Sequence, residues 1–291
     1  MVKKLSQLYS DTRRALMETE DTQSAGMLAR YLLCHVTGKT REQLLADGEM
    51  YVGDEVCTAA EDCVRRVLAG EPLAYILGSW EFYGLELYVD KNVLIPRDDT
   101  CAVADLAISR AGLLGTNPRI LDLCTGSGCI GLAIASRVSG AKVTLADISP
   151  EALAVAKKNV TLNRLQSRVT CVKSDALGIP SAFLGKFDLI VSNPPYITTQ
   201  EMTELPKSVV DFEPHLALHG GDDGLDFYRN IVKNYAAALK PGGYLCFEFG
   251  MGQGDAVCAI LEENQYTILE RSRDYNDRER AVIAQLGRKE D

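Results

Sequence analysis

Two stretches of the sequence combine residue types that can do chemistry. The first is Ser192-Asn193-Pro194-Pro195-Tyr196, which closes the apolar run Phe187-Asp188-Leu189-Ile190-Val191. Consecutive prolines supply no backbone N–H, so neither a helix nor a central strand continues through them. The proline after Asn193 also drives that residue toward an extended conformation. The result is a stiff corner presenting an amide side chain, bare carbonyl oxygens and a phenol ring. The Asn193 side-chain oxygen and the Pro194 carbonyl can accept the two N–H groups of a planar nitrogen and hold it in one orientation. Taken alone, an Asn-Pro pair is a turn. After a strand, and downstream of a glycine-rich loop, it reads as a site.

The second stretch is Asp122-Leu123-Cys124-Thr125-Gly126-Ser127-Gly128-Cys129-Ile130-Gly131. It follows an apolar run and opens a helical pattern, and Gly126-x-Gly128-x-x-Gly131 satisfies the dinucleotide fingerprint. Asp147 closes the next apolar run about twenty residues on, where a ribose hydroxyl is read. Strand, turn, helix and acid in this order favour a nucleoside-bearing cofactor over a structural turn. A nicotinamide dinucleotide needs the helix N-terminus for its pyrophosphate. S-adenosylmethionine has no phosphate but carries an ammonium, which a carboxylate such as Asp122 would welcome. The loop alone leaves both open.

These stretches need elements to hold them. Residues 1–75 read as a helical domain: Leu5, Leu8, Ala15 and Leu16 have helical spacing, Ala25 to Val36 is amphipathic, and a helix over about Asp54 to Leu68 stops at Gly70. Residues 76–98 form a bridge, with two short strands around Gly84 in Trp80 to Val89; Asp99 to Gly112 follows as a helix. From Pro118 onward, apolar runs alternate with helical stretches. The expected strands are Arg119–Cys124, Lys142–Asp147, Arg168–Lys173, Lys186–Asn193 and Tyr244–Gly250, with helices over Gly128 to Val138 and Pro150 to Asn163. Ser149-Pro150 is a strong helix start. This alternation implies an α/β fold, a Rossmann-like and mainly parallel sheet covered on both faces. Two tail strands, Tyr266–Arg271 and Glu279–Gln285, are joined by a short connection and should pair antiparallel. The α/β domain is expected to cover residues 99–291.

Composition narrows the function classes. The 291 residues carry a net charge of -9, with 46% hydrophobic and 24% charged residues. This balance argues against broad nucleic-acid binding, which rests on clustered Lys and Arg. Nine cysteines are scattered singly without a C-x-x-C, and His215 and His219 lack a third ligand, so no metal site is expected. No window approaches the ~18 apolar residues of a membrane span, and the first residues carry two lysines without an apolar leader core. A cytoplasmic location, with no membrane partner, is the expectation.

Asp-x-x-x-Gly-x-Gly, an acid after the second strand and Ser174-Asp175 after the third together resemble the class I methyltransferases. In that fold the corner after the fourth strand faces the methyl donor, and Asn-Pro-Pro-Tyr marks enzymes that methylate a planar nitrogen. Flanking segments extend the likeness: Glu71-Pro72-Leu73-Ala74-Tyr75-Ile76-Leu77-Gly78, Val93-Leu94-Ile95-Pro96-Arg97, Phe212-Glu213-Pro214, Ala217 to Leu225, Leu239-Lys240-Pro241-Gly242-Gly243 and Arg278 to Ala284. With these, the chain from about residue 20 resembles the bacterial peptide-chain release factor glutamine methyltransferases (the HemK/PrmC family).

The resemblance implies transfer of a methyl group from S-adenosylmethionine, leaving S-adenosylhomocysteine. The acceptor would be the side-chain nitrogen of the glutamine in the Gly-Gly-Gln motif of class 1 release factors, with the helical domain docking that protein. It implies catalytic roles for Asn193, Pro194 and Tyr196, and substrate binding by these three with Pro195. Donor binding falls to Asp122, Cys124, Thr125, Gly126, Ser127, Gly128, Asp147, Asp175, Ala176 and Asn193. The plain reading of Asp175 is a turn cap. Cys124 stands where many members have glycine, implying that this position needs no positive φ. Asp98-Asp99-Thr100-Cys101 departs from the usual Pro-Glu-Thr-Glu. The competing readings are an adenine-N6 or guanine-N2 nucleic-acid methyltransferase, a nicotinamide-dependent oxidoreductase, which leaves the corner unexplained, and a non-catalytic adaptor.

Overall fold

The computed structural model describes residues 2–287. Two compact units divide the chain, the first ending at Ser79 and the second beginning at Trp80.

The first unit contains β1 (Lys3–Lys4), α1 (Leu5–Leu16), α2 (Thr22–Thr37), α3 (Arg41–Ala46), β2 (Tyr51–Val52), α4 (Asp54–Leu68) and α5 (Leu73–Leu77). Local chemistry sets the helix ends. The Asp21 carboxylate accepts from the Gln23 and Ser24 amides at the start of α2, and Gly38 ends it in the left-handed region. Thr40 and Gln43 form a capping box for α3. Leu16, Ala25, Ala29, Leu32, Cys63, Val64 and Ile76 form the main core, from four helices. The sequence pattern marked α1, α2 and α4. The short α3 and α5 lack enough turns to show a period.

A hairpin whose first strand starts at the boundary, β3 (Ser79–Phe82) with β4 (Leu85–Tyr88), opens the second unit, followed by α6 (Cys101–Gly112), β5 (Arg119–Leu123), α7 (Cys129–Arg137), β6 (Lys142–Asp147), α8 (Pro150–Leu162), β7 (Val169–Lys173) and β8 (Phe187–Ser192). It continues through α9 (Lys207–Val210), α10 (Asp226–Asn234), β9 (Leu239–Glu248), α11 (Gly254–Glu263), β10 (Tyr266–Arg273) and β11 (Glu279–Leu286). The hairpin packs within this unit: Phe82 and Leu87 enter its core, and Asn159 of α8 exchanges hydrogen bonds with the Tyr88 backbone at 2.7 and 2.9 Å.

Seven strands form one sheet in the order β10-β11-β9-β8-β5-β6-β7. The five from β9 to β7 run parallel, while β11 is antiparallel to both β9 and β10. Side chains alternate between two cores, as the period of two requires. Ile120, Leu189 and Val191 join α6, α7 and α8 on one face; Leu121, Leu123 and Ile190 join α10 and α11 on the other. The fold class matches the sequence expectation. One strand start differs by more than a residue: β9 begins at Leu239 rather than Tyr244. Phe187 pairs with Leu239 but Leu189 pairs with Tyr244, so Lys240 to Gly243 bulge within the strand around Gly242 at φ 72°.

The sheet order has a functional consequence. The chain runs outward from β5 to β7, then crosses back to β8 on the other side of β5. Ligands of open α/β sheets bind at this switch point, beyond the carboxyl ends of the strands.

Candidate active site

Register brings the two chemical stretches together. Leu123 pairs with Ala146 on one side and Ser192 on the other, while Ser192 pairs with Phe247. The glycine-rich loop, Asp147, the Asn-Pro-Pro-Tyr corner and Glu248 therefore leave the same sheet edge side by side. The Ser192 hydroxyl donates to the Leu123 carbonyl at 2.6 Å, tying corner and loop at their roots.

The loop is built from backbone. Cys124, Gly126 and Gly128 all take positive φ, at 59°, 53° and 86°. The expectation that a cysteine at 124 signals an ordinary conformation is therefore wrong. Reversing the chain between β5 and α7 places this residue in the left-handed region whatever its side chain. Gly131 is needed for close packing instead. A Cβ there would lie 2.3 Å from Leu145 Cδ2 and 2.9 Å from Asp122 Oδ2.

Two carboxylates hold the loop. Asp147 Oδ2 accepts from the Gly126 amide at 2.9 Å, and its Oδ1 accepts from the Ser149 amide at 3.0 Å. Burial raises its pKa and these amides oppose the shift. Asp122 lies beneath the loop, only 1% exposed. Its Oδ2 accepts from Thr125 Oγ1 at 2.6 Å and from the Gly131 amide at 2.9 Å, while Oδ1 has no partner. Burial pushes this carboxyl up to about 7, against the pull of those two donors. The buried Ser127 hydroxyl is likewise without a partner.

The corner is built from side chains and carbonyls. Asn193 Nδ2 donates to Thr100 Oγ1 at 3.4 Å, which turns the amide oxygen away from Thr100. Pro194 and Pro195 are buried. Gln253 Nε2 donates to the Tyr196 carbonyl at 3.0 Å, and the Ile197 amide donates to the Leu218 carbonyl at 2.9 Å. The Tyr196 hydroxyl points to Glu248 Oε1, 3.5 Å away. Burial, then the Glu248 charge, raises the phenol pKa far above its usual range, so it remains a donor.

One cleft gathers Cys124, Thr125, Gly126, Ser127, Asp147, Asp175, Ala176, Asn193 and Pro195. Asp122, Gly128, Pro194 and Tyr196 do not line it. Asp122 lies under the loop, Gly128 faces Leu132 and Leu145 in the core, and the Tyr196 hydroxyl faces the sheet end at Glu248. Asp175 lines the cleft while its Oδ1 caps the Leu177 amide at 2.9 Å, so the plain reading of that residue holds as well.

Several lining residues were not picked out from sequence: Arg97, Thr100, Ile148, Leu177, Leu216 and Phe227. Ile148 directly follows Asp147, so an apolar neighbour of the acid that ends β6 was a readable signal. Arg97 pairs with Glu213, a buried carboxylate that also accepts from the Ile95 amide at 3.3 Å. That contact joins segments 116 residues apart, which no local pattern announces. The divergent loop is also engaged, since Asp99 pairs with Arg280 at 3.0 Å.

Known proteins resemble this chain in sequence and in fold. The Methyltransferase small domain family matches residues 109–211, and the PrmC N-terminal domain family matches residues 7–78. A release factor glutamine methyltransferase of Clostridium acetobutylicum is 37% identical over 89% of this chain and 90% of its own length. One from Geobacter sulfurreducens is 36% identical over 95% of each chain. Among solved structures, a methyltransferase from Pyrococcus furiosus matches with a TM-score of 0.52 at 19% identity, covering 78% of this chain and 99% of that one. That likeness speaks to the fold alone. Among the described residues, no helix is long and apolar enough to cross a membrane.

Proposed function

We propose, since the chain belongs to the release factor glutamine methyltransferase family, that it methylates the side-chain amide nitrogen of a glutamine in a peptide-chain release factor. S-adenosylmethionine would be the donor and S-adenosylhomocysteine the product; when bound, the donor supplies a methyl group on a sulfonium, already activated for transfer. The residues fit such a group. Asp147 is anchored by two backbone amides and lines the cleft, where its remaining lone pairs can accept from a ribose diol. Asp122 Oδ1 and Ser127 Oγ are buried polar atoms lacking partners at the loop base, suited to a nearby ammonium. Ile148 and Leu177, 39% and 42% exposed, offer apolar surface to a purine.

The observation that carries the acceptor assignment is the Asn193 side chain. It lines the same cleft as the loop, with its NH2 bonded to Thr100 and its oxygen left over. A glutamine amide nitrogen is a poor nucleophile because its lone pair is delocalised into the carbonyl. If Asn193 Oδ1 and the Pro194 carbonyl each accept one of its N–H groups, the nitrogen is fixed facing the methyl. Such positioning can contribute on the order of 7 kcal/mol to lowering a barrier. The nitrogen gains the methyl and loses one of its two protons to solvent. We assign the helical first unit to docking the release factor, and the Gly-Gly-Gln glutamine as the acceptor.

The test incubates the protein with radiolabelled S-adenosylmethionine and, in separate reactions, a class 1 release factor, the same factor with that glutamine changed to glutamate, RNA and DNA. Label is expected only in the unaltered factor. Label in nucleic acid, or in the glutamate variant, overturns the reading.

A further inference from the structure

We propose that Arg97 binds the carboxylate of the donor, so that the cleft recognises S-adenosylmethionine as an amino acid as well as a nucleoside. This rests on the donor reading given above.

The charges of the cleft point to Arg97. Asp147 and Asp175 are the acids that line it, and Arg97 is its only cation among the described residues. The proposed donor carries two positive groups, a sulfonium and an ammonium, and one negative group, its carboxylate. Asp122, beneath the loop with Oδ1 unpartnered, suits the ammonium. A ligand carboxylate placed there would meet another carboxylate. Arg97 left unmatched would in turn face two positive groups of the donor, like charge against like. Pairing the single anion of the ligand with the single cation of the cleft removes both conflicts.

Position agrees with charge. The donor sulfur has three arms: the nucleoside, assigned to the side of Asp147, the methyl, assigned to face Asn193, and the amino acid. The Thr100 amide donates to the Arg97 carbonyl at 3.1 Å, and Thr100 Oγ1 accepts from Asn193 Nδ2 at 3.4 Å. The turn that carries Arg97 therefore flanks the corner, on the side left for the third arm.

The guanidinium is also held in advance. Its Nη2 donates to Glu213 Oε1, whose side chain is 1% exposed while that of Arg97 is 43% exposed. Glu213 does not line the cleft, and it also accepts from the Ile95 amide at 3.3 Å. One buried carboxylate thus clamps both the backbone and the head group of this segment. A long side chain normally loses rotamer freedom when it binds a ligand, and this clamp removes part of that cost beforehand. The remaining N–H groups of the planar head match the geometry of a carboxylate.

Calorimetry on the full-length protein, without acceptor so that no turnover enters, compares S-adenosylmethionine with its decarboxylated analogue. Wild type should prefer the intact donor by about 10- to 100-fold, the scale of a charged hydrogen bond. Arg97→Met should lose that factor for the intact donor and bind the analogue nearly as wild type does, because the cycle of side chain against ligand group isolates their pairing. Arg97→Lys, which keeps the charge but not the planar head, should retain part of the preference. Arg97→Met leaves Glu213 buried and unpaired, so the double variant carrying Arg97→Met and Glu213→Gln is measured beside it and should show the same lost preference. An intact wild-type preference in either Met-bearing variant overturns the proposal, as does an equal weakening of both ligands, which would mark a change of cleft shape. If neither folds, wild type and Arg97→Lys decide: equal affinity of wild type for the two ligands, or an undiminished preference in Arg97→Lys, overturns it. Wild type binding neither ligand overturns the donor reading itself, whereas binding without the predicted discrimination overturns only the role of Arg97.

Discussion

The two sides of the cleft are made of different material. The loop side is main chain: three positive-φ residues, amides pinned by Asp122 and Asp147, and a glycine where a methyl group would collide. The corner side presents one amide, Asn193, whose NH2 end bonds the Thr100 hydroxyl. Backbone sites tolerate many side chains but few shapes. Side-chain sites tolerate shape changes but few chemistries. The proposed donor is always the same molecule, so a rigid cradle suits it. The proposed acceptor is presented by another protein, and its nitrogen must be selected by hydrogen bonding.

The sharpest way to break this contrast is Asn193→Ala. Turnover should fall about a thousandfold, the scale seen when a single polarising group is removed, while S-adenosylmethionine affinity by calorimetry changes only a few-fold. Equal losses in both would mean the two sides are not separable. Asp147→Ala should do the reverse, weakening donor affinity roughly 10- to 100-fold, as expected for losing hydrogen bonds to a charged group, with kcat at saturating donor largely kept.

A third measurement probes what the cradle costs the fold. Burial raises the Asp122 carboxyl from its ordinary value to about 7. The folded protein thus holds that proton more tightly than the unfolded chain does. The associated stability is fully present below about pH 4 and is lost as the pH rises through about 7. Asp122→Asn escapes that loss. Its melting temperature relative to wild type should climb between pH 5 and pH 8, with a free-energy gain on the order of 2–4 kcal/mol, while donor affinity at pH 8 drops. A constant difference across the range would mean Asp122 is ionised throughout. The smallest effect is expected from Cys124→Gly. Relief of the left-handed strain at φ 59° is offset by the greater freedom of unfolded glycine, leaving a net gain of about 1 kcal/mol or less in chemical denaturation.

The contrast also explains what could be read from sequence. The loop was legible because backbone sites leave glycines at fixed spacing, and the acid at Asp147 ends a strand whose pattern is plain. The corner was legible because two prolines announce it. Cys124 misled because a side chain was used to judge a conformation that the turn imposes. Thr100 was invisible as a partner of Asn193, because it sits at a helix start 93 residues away and only the folded chain brings the two together. Glu213 and Arg97 illustrate the same point, being joined across 116 residues. The short helices α3 and α5 were missed for a simpler reason: five or six residues make too few turns to reveal a period.

The pairing of Leu123 with Ser192 has one more implication. Adjacent strands are about 4.8 Å apart by hydrogen-bond geometry, and loop and corner spring from neighbouring strands at the same level. The sheet therefore acts as a ruler: it sets the reach between the proposed donor and acceptor sites with a spacing that no side-chain replacement alters. If the proposed roles hold, lineages built on this sheet could re-aim the corner at a different planar nitrogen by changing only what surrounds it, because the gap between loop and corner is inherited with the strands.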